Sequence, residues 1–227
     1  MEQPYACLED VVSDGFFPAV DSALRIGRHV DQEDFEHYTF LSDAQPWLEP
    51  FYERYGYELV RAADGYFFLV PAVERLPRRH MTVGEMVVGQ GLALLFLDPS
   101  TLKAAGVVDR MQLVQLLANL IGEERLSVAI NPRRKRRDEK VEQAIVRKEL
   151  DRALRTLAAL GFVDLLEEER IRLRAPLLRF AEPVREQDDP IEALGRMVAR
   201  GQAAVEPGVE GAGVEAGELV DDEEGEP

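Results

Sequence analysis

The sequence predicts a mainly α-helical protein with small β-hairpin wings, built as tandem winged-helix (helix-turn-helix) domains with a C-terminal helix and a disordered acidic tail. Three observations predict it. Helix start and stop signals are clear, a tight turn between two β-rich runs occurs twice, and the order of elements repeats. Helix, short strand, helix, helix and hairpin is the order expected of a winged helix.

The first copy of this order begins with two helices. Apolar residues at helical spacing predict a helix over residues 16–26, with Gly27 as its stop. After a short extended piece, the Asp31 carboxylate is suited to accept hydrogen bonds from the free backbone N–H groups of a new first turn. We therefore predict that Asp31 caps a second helix that runs to about Leu41.

The first copy continues with a third helix and a hairpin. Ser42 followed by Gln45 is a capping-box pattern and predicts a helix start, with Gly56 as the stop. The β-rich runs of residues 57–61 and 66–70 lie on either side of an Asp-Gly pair, which is a hairpin signal.

The second copy shows the same order in residues 82–174. Its predicted caps are Thr82 with Glu85, Asp109 with Gln112, and Asp138. A hairpin is predicted over residues 162–174. A last helix follows, with Asp189 as cap, Pro190 at its first position and Glu192 at its third. Its predicted buried stripe is Ile191, Leu194, Met197 and Val198.

The predicted organisation has five segments. They are an N-terminal extension (1–15), a first winged-helix domain (16–78), a second winged-helix domain (79–185), a C-terminal helix (186–205) and an acidic disordered tail (206–227). The tail holds nine acids and no base. It is interpreted as a solubilising segment, as a lure for a basic partner, or as a competitor for the protein's own basic residues.

Composition indicates a cytosolic protein without chemistry of its own. No apolar run approaches the roughly 20 residues that span a bilayer, and Cys7 is the single cysteine. No Gly-x-x-x-x-Gly-Lys-Ser/Thr phosphate loop is present, and His29, His37 and His80 lack metal-ligand spacing. We therefore predict no catalytic residue, no cofactor and no metal.

Several stretches resemble the MukE family. They are residues 16–25 with Gly27-Arg28-His29, residues 51–55 with Glu58-Leu59, residues 65–69, and Arg179-Phe180 before Asp188-Asp189-Pro190. The likeness runs over about residues 15–205. It implies a tandem winged-helix homodimer that binds the kleisin MukF and, through the complex, the SMC ATPase MukB. It further implies a cytoplasmic, nucleoid-associated role in chromosome condensation and segregation.

The long helix of the second copy suggests a DNA contact. An apolar stripe formed by Val146, Leu150, Ala153, Leu154 and Leu157 leaves bases on the opposite side. The candidate contacts to double-stranded DNA phosphates, without sequence readout, are Arg133, Arg134, Lys135, Arg136, Arg137, Lys148, Arg152 and Arg155. The alternative is a solvated charged face that Glu139, Glu142 and Glu149 offset. The basic run 133–137 is also more basic than the family resemblance leads one to expect.

Aromatic and apolar residues suggest protein contacts. The third helix of the first copy is acidic and aromatic, so we expect it to face protein rather than phosphate. The candidate partner contacts are Trp47, Phe51, Tyr52, Tyr55, Tyr66, Phe67, Phe68, Ile191, Leu194 and Met197. The alternative is that many of them are core. Because Phe67 and Phe68 are neighbours on a strand, one of them is expected to face outward.

One other function fits the predicted fold. A stand-alone winged-helix transcriptional regulator would bind DNA tightly and with sequence selectivity. The acidic first copy argues against it. An enzyme would need convergent polar groups that the sequence does not show.

Overall fold

Helices and three-stranded antiparallel sheets make up the protein. The computed structural model describes residues 4–122, 126, 139–185 and 187–199. A first unit contains α1 (Leu8–Ser13), α2 (Phe17–Arg25), β1 (Val30–Asp31), α3 (Phe35–Arg54), β2 (Tyr57–Ala62) and β3 (Tyr66–Pro71).

A second unit follows after residues 72–82. It contains α4 (Val83–Leu97), α5 (Pro99–Lys103), β4 (Val107–Asp109), α6 (Arg110–Ile121), α7 (Glu139–Ala159), β5 (Val163–Leu165), β6 (Arg170–Leu173), 3-10 helices at Ala175–Phe180 and Glu182–Val184, and α8 (Pro190–Ala199).

The sheets of the two units share one topology. Each hairpin pairs in antiparallel fashion, and the short strand that precedes it adds to the second hairpin strand. The strand orders are therefore β1-β3-β2 and β4-β6-β5. The Leu59–Leu69 pair fixes the first register, and the Val163–Leu173 pair fixes the second. Both predicted hairpins are confirmed.

Most buried apolar residues of the described ranges fall into two clusters, one in each unit. The first includes Leu41, Leu48 and Phe67, and α1 joins it through the fully buried Val11. The second extends from α4 to α8, whose Leu194 is fully buried. Each unit thus has its own core, and the first and last helices pack as parts of these cores.

Local hydrogen bonds confirm three helix starts in the second unit. The Thr82 hydroxyl accepts from the Glu85 N–H at 3.2 Å, and the Glu85 carboxylate accepts from the Thr82 N–H at 2.8 Å. The other two starts involve Asp109 N–H, which donates to the Gln112 side chain at 2.9 Å, and Glu192 N–H, which donates to Asp189 at 2.9 Å. The predicted cap Asp138 lies outside the described residues.

The prediction of two helices over residues 31–56 is wrong. A single helix, α3, runs from Phe35 to Arg54 and contains Pro46 and Pro50. Ser42 lies inside it, and the Ser42 hydroxyl is buried with no hydrogen-bond partner within the described chain. One apolar face of this helix is buried along its length, at Leu41 as well as at Leu48. Because this packing stabilises the helix, it continues through both prolines.

Asp31 does not cap α3. It belongs to β1, and its carboxylate accepts from the Arg174 Nε at 3.0 Å, across 143 positions of sequence. The N-cap of α3 is Asp34, whose side chain makes no capping hydrogen bond. Leaving a buried carboxylate without a cation costs more free energy than leaving a helix start without a side-chain cap. Asp31 therefore pairs with Arg174.

Candidate nucleic-acid and partner interfaces

Helix α7 separates apolar and basic residues on opposite sides. Leu150, Leu154 and Leu157 are buried in the second core, as predicted. The side chain of Val146 is outside the described part of the structure. Lys148, Arg152 and Arg155 are exposed, so the structure confirms the two-sided character of this helix.

A shallow cleft of about 510 Å³ lies along the exposed side of α7. We name it the basic cleft; it is lined by Arg79, Lys148, Glu149, Arg152, Arg155, Thr156 and Ala159. The four bases face a single acid, Glu149, whose carboxylate is 4.0 Å from the Arg152 guanidinium. An exposed pair at this distance contributes little, so the described side chains leave the positive charge of the cleft mostly uncompensated.

Arg79 is a cleft residue that sequence reasoning missed. It lies in the segment between the units, next to the exposed Arg78. The one sequence feature that could have indicated Arg79 is this pair of adjacent bases, in a segment where no helix or strand is predicted. Only the packing of that segment beside α7 reveals that Arg79 joins Lys148, Arg152 and Arg155.

Not every base near α7 is available to a partner. Arg147 is next to Lys148 in sequence but forms an ion pair with Glu169 at the end of the hairpin loop. Arg110 at the start of α6 pairs with Asp151. The predicted run Arg133, Arg134, Lys135, Arg136 and Arg137 lies outside the described residues.

The first unit presents an aromatic strip along α3, formed by Trp47, Phe51 and Tyr55. Trp47 and Phe51 are half-buried, and Tyr55 is 56% exposed. The Phe51 and Tyr55 ring centroids are 5.1 Å apart. The Arg25 guanidinium lies 5.2 Å from the Tyr55 ring and is held by Asp21 at 2.9 Å. Rings and an ordered arginine make this surface suitable for protein contacts.

Five predicted partner residues are not on the surface. Tyr52, Tyr66, Phe67, Phe68 and Leu194 are each at most 9% exposed. Phe67 points into the first core, as the alternation of a strand requires. Tyr66 and Phe68 lie outside that core but are buried, with His29 beside both rings and Arg179 of the second unit over Phe68. Neither of the adjacent phenylalanines therefore faces solvent. Of the remaining candidates on α8, Ile191 is 44% exposed and Met197 is half-buried, which corrects the prediction that Ile191 is buried.

His29 lies at the joint between the units. Its Nδ1–H donates to the Leu160 carbonyl at 3.0 Å, because a carbonyl can only accept. Its Nε2 then accepts from the Arg179 guanidinium at 2.8 Å. Burial, reinforced by the Arg179 charge, lowers the pKa of His29 to about 3. Arg179 also stacks on Phe68, 4.1 Å from the ring centroid, so the imidazole is neutral and locked in one orientation.

Two arginines of the second unit complete the joint. Arg174 bonds Asp31 of the first unit and Asp164 of its own hairpin, the latter at 2.8 Å. Burial alone lowers the Arg174 pKa, but these hydrogen bonds raise it above its ordinary value. Arg185 forms a two-bond pair with Asp64 of the first hairpin turn, at 2.6 and 2.8 Å. These contacts hold the two units in a fixed relation.

The described ranges contain no group of three or more His, Cys, Asp or Glu side chains placed to hold a metal ion. Among the helices in the same part of the chain, none combines the length and apolar character needed to cross a membrane.

The fold and its surfaces define a class of protein with paired helical units, each bearing a small antiparallel sheet. A model of the MukE-like family matches residues 6–226, and the chain belongs to this family. It is similar to the chromosome partition protein MukE of Actinobacillus succinogenes, at 36% identity over 87% of this chain and 81% of the relative. It is also similar to chromosome partition protein MukE of Escherichia coli K12, at 34% identity over 86% and 84%.

Proposed function

We propose that this protein is a non-enzymatic accessory subunit of a bacterial SMC–kleisin complex that partitions and condenses chromosomes. Membership of the MukE-like family over residues 6–226 carries the proposal. The relatives at 34–36% identity are chromosome partition proteins. The protein would act in the cytoplasm at the nucleoid, without a cofactor, by binding other macromolecules.

Each unit is proposed to be a winged-helix domain. The strand orders β1-β3-β2 and β4-β6-β5 support this, because a short strand beside the second hairpin strand is what the helix, strand, helix, helix, hairpin order produces. In the second unit, α4, β4, α6, α7 and the β5–β6 hairpin follow that order. In the first unit, α3 takes the place of two helices.

The kleisin is proposed to bind the aromatic strip of α3. Tyr55 is the most exposed member, and Arg25 beside it offers a hydrogen-bond donor at the edge. An apolar kleisin segment would bury these rings, which are typical of interface hot spots. Ile191 and Met197 on α8 form a second candidate surface for a peptide or for the twin subunit of a homodimer.

Co-purification tests the complex and its surface. The tagged protein is expected to recover a kleisin and a large coiled-coil ATPase, both identified by mass spectrometry. Tyr55→Ala is expected to weaken recovery of the kleisin at least tenfold, in line with hot-spot losses of about 2 kcal/mol. Phe35→Ala serves as the matched control, because it truncates an aromatic ring that is 73% exposed at the other end of α3, outside the strip. Absence of both proteins from the wild-type sample would remove the proposed function.

The basic cleft is proposed to contact double-stranded DNA without reading its sequence. Four bases around one acid support phosphate contact, and phosphate contacts carry no direct sequence information. Polarisation of a labelled duplex at rising salt tests this contact. We expect similar affinity for unrelated duplexes and a steep loss with salt. Tight binding of one operator alone would instead indicate a transcriptional regulator.

A further inference from the structure

The basic cleft and the C-terminal segment have opposite charge. The cleft presents Arg79, Lys148, Arg152 and Arg155 around one acid. Residues 206–227 carry nine acids and no base. The described chain offers the cleft little internal compensation, since its one acid is 4.0 Å from a single arginine. The strongest local complement to the cleft is therefore in the same polypeptide.

The place where α8 ends allows the two to meet. Helix α8 ends at Ala199, and its buried Leu194 and Val198 share one core with Leu150 and Leu157 of α7. A unit of this size has a radius of gyration of about 14 Å. The chain after Ala199 can extend by about 3.3 Å per residue, so even its first acid, Glu206, can lie roughly 20 Å away. The acidic segment can thus reach any face of the second unit.

We propose that residues 206–227 occupy the basic cleft in the free protein and compete there with nucleic-acid phosphate. Attachment makes a weak contact effective, because a short tether gives an effective concentration of about 1 mM. An affinity of only about 0.1 mM for the free peptide then fills the cleft in roughly nine molecules of ten. The competition with DNA rests on the DNA contact proposed above, whereas occupation of the cleft by the segment does not.

The first experiment measures occupation of the cleft directly. The full-length protein is prepared with all nine tail acids changed to their amides, which leaves the chain length intact. A labelled peptide of residues 206–227 is expected to bind this tail-neutral protein, and a peptide with the nine acids amidated is expected not to bind. K148Q/R152Q/R155Q should weaken peptide binding at least tenfold, and R54Q/K103Q/R172Q, three exposed bases outside the cleft, should not. Equal binding to both variants would overturn the proposal.

The second experiment measures competition. At low salt, the tail-neutral protein is expected to bind a duplex about tenfold more tightly than the natural chain, and the difference should vanish as salt screens the contact. In the K148Q/R152Q/R155Q background, neutralising the tail should leave the affinity for the duplex unchanged. Equal DNA affinity of the natural and tail-neutral chains, with cleft-dependent binding in both, would refute the competition and leave the DNA contact standing. Peptide binding at the cleft with no DNA binding by any chain would refute the DNA contact alone. Circular dichroism and thermal unfolding confirm that each variant is folded.

Discussion

Helices α3 and α7 occupy corresponding positions before the two hairpins, yet they present opposite surfaces. Helix α3 carries four acids and one arginine, and its Trp47 and Phe51 form an aromatic strip with the C-cap residue Tyr55. Helix α7 carries five bases and four acids, and three of its bases, Lys148, Arg152 and Arg155, line the basic cleft. One sheet topology therefore supports two different surfaces, and the side chains alone decide which kind of partner each surface suits.

The joint between the units keeps the two surfaces in a fixed relation. The close approach of the two backbones at this joint requires a glycine at position 161. Gly161 has φ of +79°, and a Cβ there would lie 2.4 Å from the His29 carbonyl oxygen. Gly161→Ala is expected to cost about 3 kcal/mol of unfolding free energy, from backbone strain plus a clash with a rigid backbone atom. Urea unfolding of the wild type and of Gly161→Ala measures this difference in unfolding free energy.

Gly122 is the matched control for that substitution. Its φ is +80°, but a Cβ would meet no described atom within 4 Å. Gly122→Ala should therefore cost only about 1 kcal/mol for the backbone conformation. Equal losses in the two variants would mean that the close approach of the units contributes nothing.

Charge reversal tests whether α7 rather than α3 faces DNA. K148E/R152E/R155E is expected to reduce affinity for a duplex about 100-fold at low salt, or about 2.7 kcal/mol, because three phosphate contacts become repulsive. Placing bases on α3 with E49K/E53K should change affinity less than threefold. A gain on α3 as large as the loss on α7 would show that only net charge matters, and the comparison of the two helices would fail.

His29 makes the joint sensitive to acid. Its folded pKa is lowered to about 3, while an unfolded histidine titrates near 6.5. The unfolded chain therefore takes up a proton first as pH falls, so the contribution of His29 is complete above pH 6.5 and is lost progressively down to about pH 3. Between pH 6.5 and 5 we expect a loss of about 2 kcal/mol.

The pH dependence of urea midpoints in His29→Gln measures this contribution. The variant is expected to be less stable at pH 7 and to lose the steep part of the slope between pH 6.5 and 5. His80→Gln, at an exposed position of the segment between the units, is the control and should leave the slope in place. An unchanged slope in His29→Gln would refute the role given to this imidazole.

The smallest effect concerns two capping boxes that look alike in sequence. Thr82→Ala is expected to cost about 1 kcal/mol, because the Thr82 hydroxyl accepts from the Glu85 N–H. Ser42→Ala should be neutral or slightly stabilising, since its buried hydroxyl has no partner among the described residues. Thermal unfolding compares the two, and a cost at Ser42 equal to that at Thr82 would contradict the continuous α3.

Local signals predicted most of the fold. The bounds of α4, both hairpins and the starts of α6 and α8 were predictable because their determinants lie within a few residues of one another. The division of α7 into apolar and basic sides followed from helical spacing for the same reason. The family resemblance was also readable from short stretches, and the match over residues 6–226 confirms it.

Tertiary contacts decided the rest, because their partners are far apart in sequence. Asp31 pairs with Arg174 instead of capping α3, and Tyr66 and Phe68 are buried beside His29, with Arg179 of the second unit over Phe68, instead of facing a partner. Arg79 lines the basic cleft because the segment between the units lies beside α7, which no local sequence pattern indicates. The sequence by itself determined most of the elements and which sides of the helices are apolar or charged. Which of those sides stay exposed depends on how the two cores pack against each other, because that packing joins residues far apart in the chain.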